Sequence, residues 1–269
     1  MSAPSHAGEL DAMLKRLHLP TIRRLYPELA IRAEAEGMSY REFLEILAAE
    51  EIAHRAQTRI TRSVRKARFP YLRTIEEFDF TFQTAVRLQM LGTLLGPELV
   101  AEGRSAIFSG PPGRGKTHLA VAVAYRAIQN GFEARFTSAD ELIGALSLAA
   151  RQGRLEAAIE PYVHPHVLVI DELGYQSYAA DAANVLFRVV SIRHLKRRPT
   201  LVTTNKPLAA LGQVLHDADL AEAILDRLLE RGTHYVLRGR SYRTRHLKEE
   251  PVQFTEDDVL YPIPGDARV

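Results

Sequence analysis

Eight consecutive residues constrain this chain more than any other feature: Gly110-Pro111-Pro112-Gly113-Arg114-Gly115-Lys116-Thr117, a match to G-x-x-x-x-G-K-[ST]. The setting of the motif matters as much as its letters. It follows an apolar run over 106–109 that reads as a strand and precedes a pattern over 116–130 that reads as a helix. Glycines let such a backbone curl until successive N–H groups face one anion, and a helix starting near Lys116 adds the positive end of its dipole. A turn of this kind cradles a polyphosphate. Lys116 would reach the terminal phosphates, and Thr117 would offer its hydroxyl to Mg²⁺, a hard cation that prefers oxygen ligands.

The remaining pattern agrees with an α/β domain. Short β-branched runs predict strands at 106–109, 134–137, 167–170, 201–204 and 235–237, alternating with helices at 116–130, 139–152, 180–196 and 220–230. This is the texture of a five-stranded parallel sheet covered on both faces, a P-loop three-layer sandwich. The run Val167-Leu168-Val169-Ile170 is apolar throughout, as a central strand must be. It ends in Asp171-Glu172, and two adjacent acids after a buried strand are costly unless employed. Set beside the phosphate loop, Asp171 would hold the metal and Glu172 would orient and deprotonate an attacking water.

Residues 1–70 read as a separate all-helical domain, with 71–105 as a junction and 106–269 as the nucleotide domain. Leu10, Met13, Leu14 and Leu17 recur at helical spacing before Pro20, a second helix spans 21–36, and Gly37 can end it. Ser39 with Glu42 forms a capping-box pair that starts a third helix, unbroken until Pro70. Charge is uneven along the chain. Residues 1–74 carry 13 Lys and Arg against 9 Asp and Glu, whereas the remainder carries 22 against 24, so the front is the part suited to a polyanion. From Ile52 to Arg73 there are seven basic residues and no acid, among them Arg55, Arg59, Arg62, Arg65, Lys66 and Arg68. Arg55, Arg59, Arg62 and Lys66 are spaced to share one helical face, with neighbours about 5–6 Å apart. Such a stripe suits a DNA backbone, and equally suits solvent. A second basic cluster, Arg193, Lys196, Arg197 and Arg198, reads most simply as an exposed helix end.

Absences narrow the class. Without cysteine, disulfides, thiolate zinc sites and cysteine catalysis are excluded, which sits with a reducing compartment. No run reaches the roughly 18 apolar residues of a membrane span, and Met1 is not followed by a secretory leader. The expectation is a soluble, cytoplasmic protein.

Several ordered motifs resemble one family: the run 110–118 with Leu119-Ala120, then Asp171-Glu172-Leu173-Gly174-Tyr175, Thr203-Thr204-Asn205, Leu225-Asp226-Arg227-Leu228 and Ser241-Tyr242-Arg243. The chain is similar to IstB-like ATPases, AAA+ transposition helpers related to the DnaC helicase loaders. The likeness extends through the helical front and takes in Phe69-Pro70 and Phe78-Asp79-Phe80 at the junction. The resemblance implies an ATP site built on Gly110, Pro111, Pro112, Gly113, Arg114, Gly115, Lys116, Thr117 and His118, with Mg²⁺ at Thr117 and Asp171. It implies that Asn205 helps place the water near the γ-phosphate, that Arg227 is an arginine finger entering a neighbouring subunit's site, and that Arg243 acts as a second sensor near the nucleotide. By the residues alone, Asn205 is equally a turn former before Lys206-Pro207. Arg227 reads as a surface ion pair with Glu230 or Asp226, and Arg243 is one charge among Arg238, Arg240, Arg245 and Lys248.

Only about 30 residues follow the last expected strand, too few for a full helical lid, a truncation the family shares. The implied partners are duplex DNA, a transposase and further copies of the same chain. Two rivals stand beside this reading: a helicase loader acting on single strands, and a nucleotide-gated architectural DNA-binding protein with little turnover.

Overall fold

The computed structural model describes residues 6–175 and 178–246; the expected domain limit at 269, and Lys248, lie outside the described residues. Three helices form the front: α1 (His6–Arg16), α2 (Pro20–Glu36) and α3 (Tyr40–Ala67). The capping signals act as the spacing requires. Ser39 Oγ accepts from the Glu42 amide at 3.2 Å while Glu42 accepts from the Ser39 amide at 2.9 Å, and Gly37 closes α2 in the left-handed region at φ 64°. Helix α3, 28 residues and so about 42 Å long, serves two packing partners. Its first half lies on α2 and buries Leu47, and its second half places Ile60, Val64 and Ala67 in the core beside Phe108, Leu119 and Val123.

Two short turns, α4 (Gly92–Leu95) and α5 (Glu98–Ala101), lead from the junction into the sheet. Its strands are β1 (Ser105–Ser109), β2 (Ala134–Ser138), β3 (Val167–Leu173), β4 (Thr200–Thr204) and β5 (Gly232–Val236), all paired in parallel in the order β2-β3-β4-β1-β5. Between and after them run α6 (Lys116–Gln129), α7 (Ala139–Arg151), α8 (Leu155–Val163), α9 (Ala182–Leu195), α10 (Leu211–Leu215) and α11 (Ala218–Leu229). Side chains of a strand alternate between faces. Leu168, Ile170, Ile107 and Val202 accordingly fill one core with α7, α8, α9 and α11, while Val167, Val169, Phe108 and Leu201 fill the other with α6 and the end of α3. Burial on both faces is what an apolar central strand demands.

Besides the short helices α4, α5 and α10, for which the spacing predicts nothing, three elements depart from the sequence reading. Helix α8 was not expected, because Pro161 and the His164-Pro165-His166 run obscure its pattern. Strand β3 does not stop at Ile170 but carries both acids through to Leu173, with a register irregularity against β4. Strand β5 lies at 232–236, earlier than expected, since Ser105 aligns with Gly232 and Ser109 with Val236. Only glycine fits at that register: a Cβ on Gly232 would stand 2.0 Å from the Leu228 carbonyl oxygen.

The second basic cluster also needs correction. Arg193 is no exposed helix end but fully buried, donating to the carbonyls of Tyr162 (2.8 Å), Pro165 (2.9 Å), His166 (2.9 Å) and Pro199 (2.6 Å) and to Thr200 Oγ1 (3.0 Å). Burial, with the charge of Arg198 nearby, lowers its pKa to about 9, and it remains a cation at neutral pH. Arg198 donates to Val163 O at 2.6 Å and to His164 O. The two arginines pin the α8–β3 turn to the α9–β4 turn. Replacing Arg193 with Met leaves several buried carbonyls unpaired, at about 1–3 kcal/mol for such a group, whereas the exposed Lys196→Ala should stay within about 0.5 kcal/mol. Denaturant unfolding of the two variants checks the contrast.

Candidate nucleotide site and basic helix face

The phosphate loop leaves the carboxyl end of β1, where ligands of open parallel sheets bind. It borders a cleft of about 600 Å³ lined by residues of the loop, Glu172, Thr203, Asn205, Arg243 and the junction. Backbone shape here is dictated by space. Gly110 has φ 140° and a Cβ there would lie 2.2 Å from Leu237 O, while Gly115 has φ 89° and a Cβ would lie 2.6 Å from Phe78 Cε2. Lys116 Nζ donates to the carbonyls of Gly110 (2.7 Å) and Pro111 (3.0 Å), which puts its ammonium inside the loop's curl. Gly110 and Pro111 therefore act through these carbonyls rather than as cleft lining.

A hydrogen-bond chain joins the strand ends. Thr117 Oγ1 donates to Asp171 at 2.9 Å, Thr203 Oγ1 donates to the same carboxylate at 2.5 Å, and the Glu172 amide donates to Thr203 Oγ1 at 2.9 Å. Asp171 is buried and Glu172 exposed to the cleft. Glu172 sits at φ 59°, a left-handed conformation that costs a non-glycine residue about 1–2 kcal/mol and is consistent with the irregularity in β3. The kink separates two adjacent carboxylates into two roles: one held inside the sheet, one facing the ligand space.

Electrostatics favour a polyanion. Burial lowers the Lys116 pKa, and Arg243 and Arg114 lower it further against the pull of Asp171 and Glu172. Arg114 Nε and Nη1 and Asn205 Oδ1 are buried atoms without a hydrogen-bond partner, and both residues line the cleft. Unpaired buried polar atoms in a cleft are groups that a ligand satisfies. A magnesium nucleoside triphosphate fits this donor set: Lys116 and Arg114 match the phosphates, Thr117 and Asp171 offer the few oxygens Mg²⁺ takes from protein, and Asn205 offers a polar contact for a water.

His118 lines the cleft and has a second part. Its Nε2 pairs with Thr74 O at 2.8 Å and its ring meets Phe78 edge-on at 5.2 Å, so it fastens the junction to the phosphate loop. Burial lowers its pKa, partly opposed by the Thr74 carbonyl, and the neutral ring donates to that carbonyl. The junction supplies residues with no role legible from spacing: Tyr71, Phe78, Phe82 and Gln83 line the cleft, and Phe82 meets Tyr242 at 5.3 Å. The aromatic doublet at 78–80 was the available signal. Arg227 lies outside its own cleft. It makes neither expected ion pair; its guanidinium stacks 4.5 Å from the Phe187 ring centroid and donates to Ala223 O, while Glu230 pairs with His194 and Arg231.

On α3 the expected stripe divides. Arg55, Arg59, Arg62 and Lys66 line one surface groove with His54 and Thr58, and Arg65 and Arg68 are exposed beyond it. Arg55, however, donates to Glu51 at 2.9 Å and to His18 O at 2.5 Å. Glu51 is 4% exposed and caps α2 by accepting from the amides of Thr21 (2.9 Å) and Ile22 (3.2 Å). Spacing could not reveal this partner, since Glu51 looks like one more surface acid. Burial opposes the Glu51 charge, but Arg55 and the two amides outweigh it and hold the pKa below the ordinary 4.5. A depressed carboxylate stabilises fully above its unfolded pKa and loses that contribution as pH falls through the folded value. Glu51→Gln should therefore cost about 1–3 kcal/mol at pH 7, with the gap from wild type closing in strong acid. Thermal melts at pH 7 and pH 3 measure it.

A parallel sheet of this strand order, with a phosphate loop after β1, an acid pair in β3 and a polar residue ending β4, defines an AAA+ P-loop nucleotide-binding domain. Residues 12–250 match the family model described as IstB-like ATP binding protein, and the chain belongs to that family. It is 37% identical over 237 residues to a protein of Geobacillus stearothermophilus described as an ATP-binding protein of insertion sequence IS5376, covering 87% of this chain and 94% of the relative. Its identity to the corresponding IS21 protein of Pseudomonas aeruginosa is 34% over 244 residues, 91% and 92% of the two chains. Among solved structures, DnaI superposes with a TM-score of 0.53 at 19% identity, over 62% of this chain and 91% of that one. DnaA from Aquifex aeolicus, bound to AMPPCP, superposes with 0.50 at 19%, over 64% and 52%. These two likenesses show the fold. Among the described residues no helix is long and apolar enough to cross a membrane.

Proposed function

We propose that the protein is a Mg²⁺-dependent ATPase that assembles on duplex DNA in its ATP-bound form, recruits and stimulates a transposase, and disassembles on hydrolysis. The observation that carries this reading is the arrangement of Thr117, Asp171 and Thr203 beside Lys116, with Glu172 turned out into the same cleft. Bound metal would supply charge neutralisation at the phosphate oxygens. Lys116 and Arg114 bind the phosphates, Asn205 orients the attacking water and Glu172 accepts its proton. Arg227 and Arg243 complete the charge balance, Arg243 within the cleft and Arg227 toward a neighbouring protomer. The position of Arg227 outside its own cleft supports a role in trans. Identity to ATP-binding proteins of insertion sequences supports a transposase as the partner.

Glu172→Gln should lower ATP turnover by at least about 10²-fold while preserving nucleotide binding. Arg227→Ala should fail in the same way, and mixing the two inactive variants should restore part of the activity, because mixed assemblies contain junctions with one intact cleft and one intact finger. No recovery on mixing counts against sites shared between subunits. Negligible wild-type turnover with and without duplex would favour the architectural reading.

Arg59, Arg62 and Lys66 supply backbone contacts that carry no sequence information, with Arg65 and Arg68 beside them and Arg55 mainly holding the front together. Replacing Arg59, Arg62 and Lys66 with Ala should weaken duplex binding across sequences and reduce the slope of log affinity against log salt by about 3, near 0.9 per phosphate contact. A titration series in salt checks this. Clear preference for single strands in the same assay would favour the loader reading.

A further inference from the structure

Strict alternation along β3 would send Glu172 into the core that Leu168 and Ile170 fill, yet Leu173 takes that place and Glu172 faces the cleft. The exchange depends on the left-handed conformation of Glu172 at φ 59°, which a non-glycine residue keeps only where its surroundings fix it. The peptide before Glu172 is fixed by Thr203, whose hydroxyl accepts from the Glu172 amide at 2.9 Å. The peptides after it are held from the opposite side. The Glu172 carbonyl accepts from the Tyr175 amide at 3.2 Å, and the Tyr178 hydroxyl donates to the same oxygen in a long contact of 3.5 Å. That hydroxyl in turn accepts from the amide of Gly174, itself left-handed at φ 86°, at 3.0 Å. One phenolic oxygen thus meets the backbone on both sides of the buried Leu173.

Tyr178 is placed to hold rather than to react. Its side chain is 8% exposed and belongs to the core that α7 and α9 form against the sheet. A phenol buried there must pair its hydroxyl, and both pairings go to the turn that follows the kink. Resting on the reading of Glu172 as the group that accepts a proton from water, we propose that Tyr178 is a positioning residue for that reaction: from the core, its hydroxyl locks the turn at 172–175 so that the Glu172 carboxylate points into the cleft. With the peptides on both sides fixed, the Cα–Cβ direction of Glu172 is fixed, and only side-chain rotation remains. Without the hydroxyl, the Gly174 amide loses its buried partner and the kink is held on the Thr203 side and by the Tyr175 amide alone.

Tyr178→Phe keeps the ring and removes only the hydroxyl. Single-turnover hydrolysis, with protein in excess over Mg-ATP and duplex DNA present, resolves slow rates in wild type, Tyr178→Phe, Glu172→Gln and the double variant. Calorimetry supplies the affinity and the number of intact sites, so that rates refer to folded protein. Tyr178→Phe should lower the rate by about 10-fold, between the effect of one net hydrogen bond and that of a misplaced reacting group. Mg-ATP affinity should stay within about 2-fold, since the turn makes no ground-state contact of its own. In the Glu172→Gln background the same change should cost less than about 2-fold, because the group it aims is gone. Losses that multiply in the double variant, or affinity that falls as far as the rate, mark a general structural role and overturn the proposal. An unchanged Tyr178→Phe rate beside a Glu172→Gln variant that has lost turnover sinks this inference alone. A Glu172→Gln variant as active as wild type, or an inactive wild type, sinks the reading of the site and this inference with it.

Discussion

A carboxylate buried at the end of the central strand of a sheet must be satisfied, and the way Asp171 is satisfied organises this molecule. Only 7% of it is exposed, and unpaired it would cost several kcal/mol. Hydroxyls from two other elements meet it: Thr117 from the first turn of α6 and Thr203 from the end of β4. Three segments far apart in sequence are fixed to one point, and the next residue, Glu172, is kinked toward the cleft. In the proposed function, the same contacts that remove the penalty place the groups that a metal and a water would need.

Around that point the fold separates rigid from responsive parts. The sheet is packed on both faces, and the phosphate loop follows from glycines whose replacement would collide with backbone or aromatic atoms. The junction is less uniform. It reaches the cleft through Tyr71, Phe78 and Phe82, and its Tyr71 end follows α3, whose second half sets Ile60, Val64 and Ala67 in the core and carries exposed cations on its other side. A helix shared in this way cannot move without disturbing one of its two partners. In the proposed function, this sharing is what would link nucleotide state to the basic face.

Much of this was legible in the residues because it rests on local rules. The glycine loop, the apolar run at 167–170, the Ser39–Glu42 box and Gly37 each specify their own geometry within a few positions. What escaped depends on contacts between distant segments. Nothing near Arg193 announces that four carbonyls from two turns converge on it, and nothing near Glu51 shows that it caps a helix thirty residues upstream. Strand β5 was misplaced because its polar residues Thr233 and His234 belong to an edge, where alternation is weak. Cleft residues from the loop and strand ends, such as Lys116, Thr117, Glu172 and Asn205, stand in local motifs and are legible there; those contributed by the junction are not, since their place at the cleft exists only after folding.

The proposed function depends on the loop at 110–117 holding a magnesium triphosphate between Lys116 and the acids of β3. Calorimetric titration of Mg-ATP into wild type and Lys116→Ala, with folding of both confirmed, measures this directly. Saturable binding by wild type that weakens by 10-fold or more in the variant is the result expected from loss of a charge-assisted contact of about 1.5–3 kcal/mol. Equal affinities in the two proteins, or no heat of binding in either at millimolar nucleotide, would contradict it.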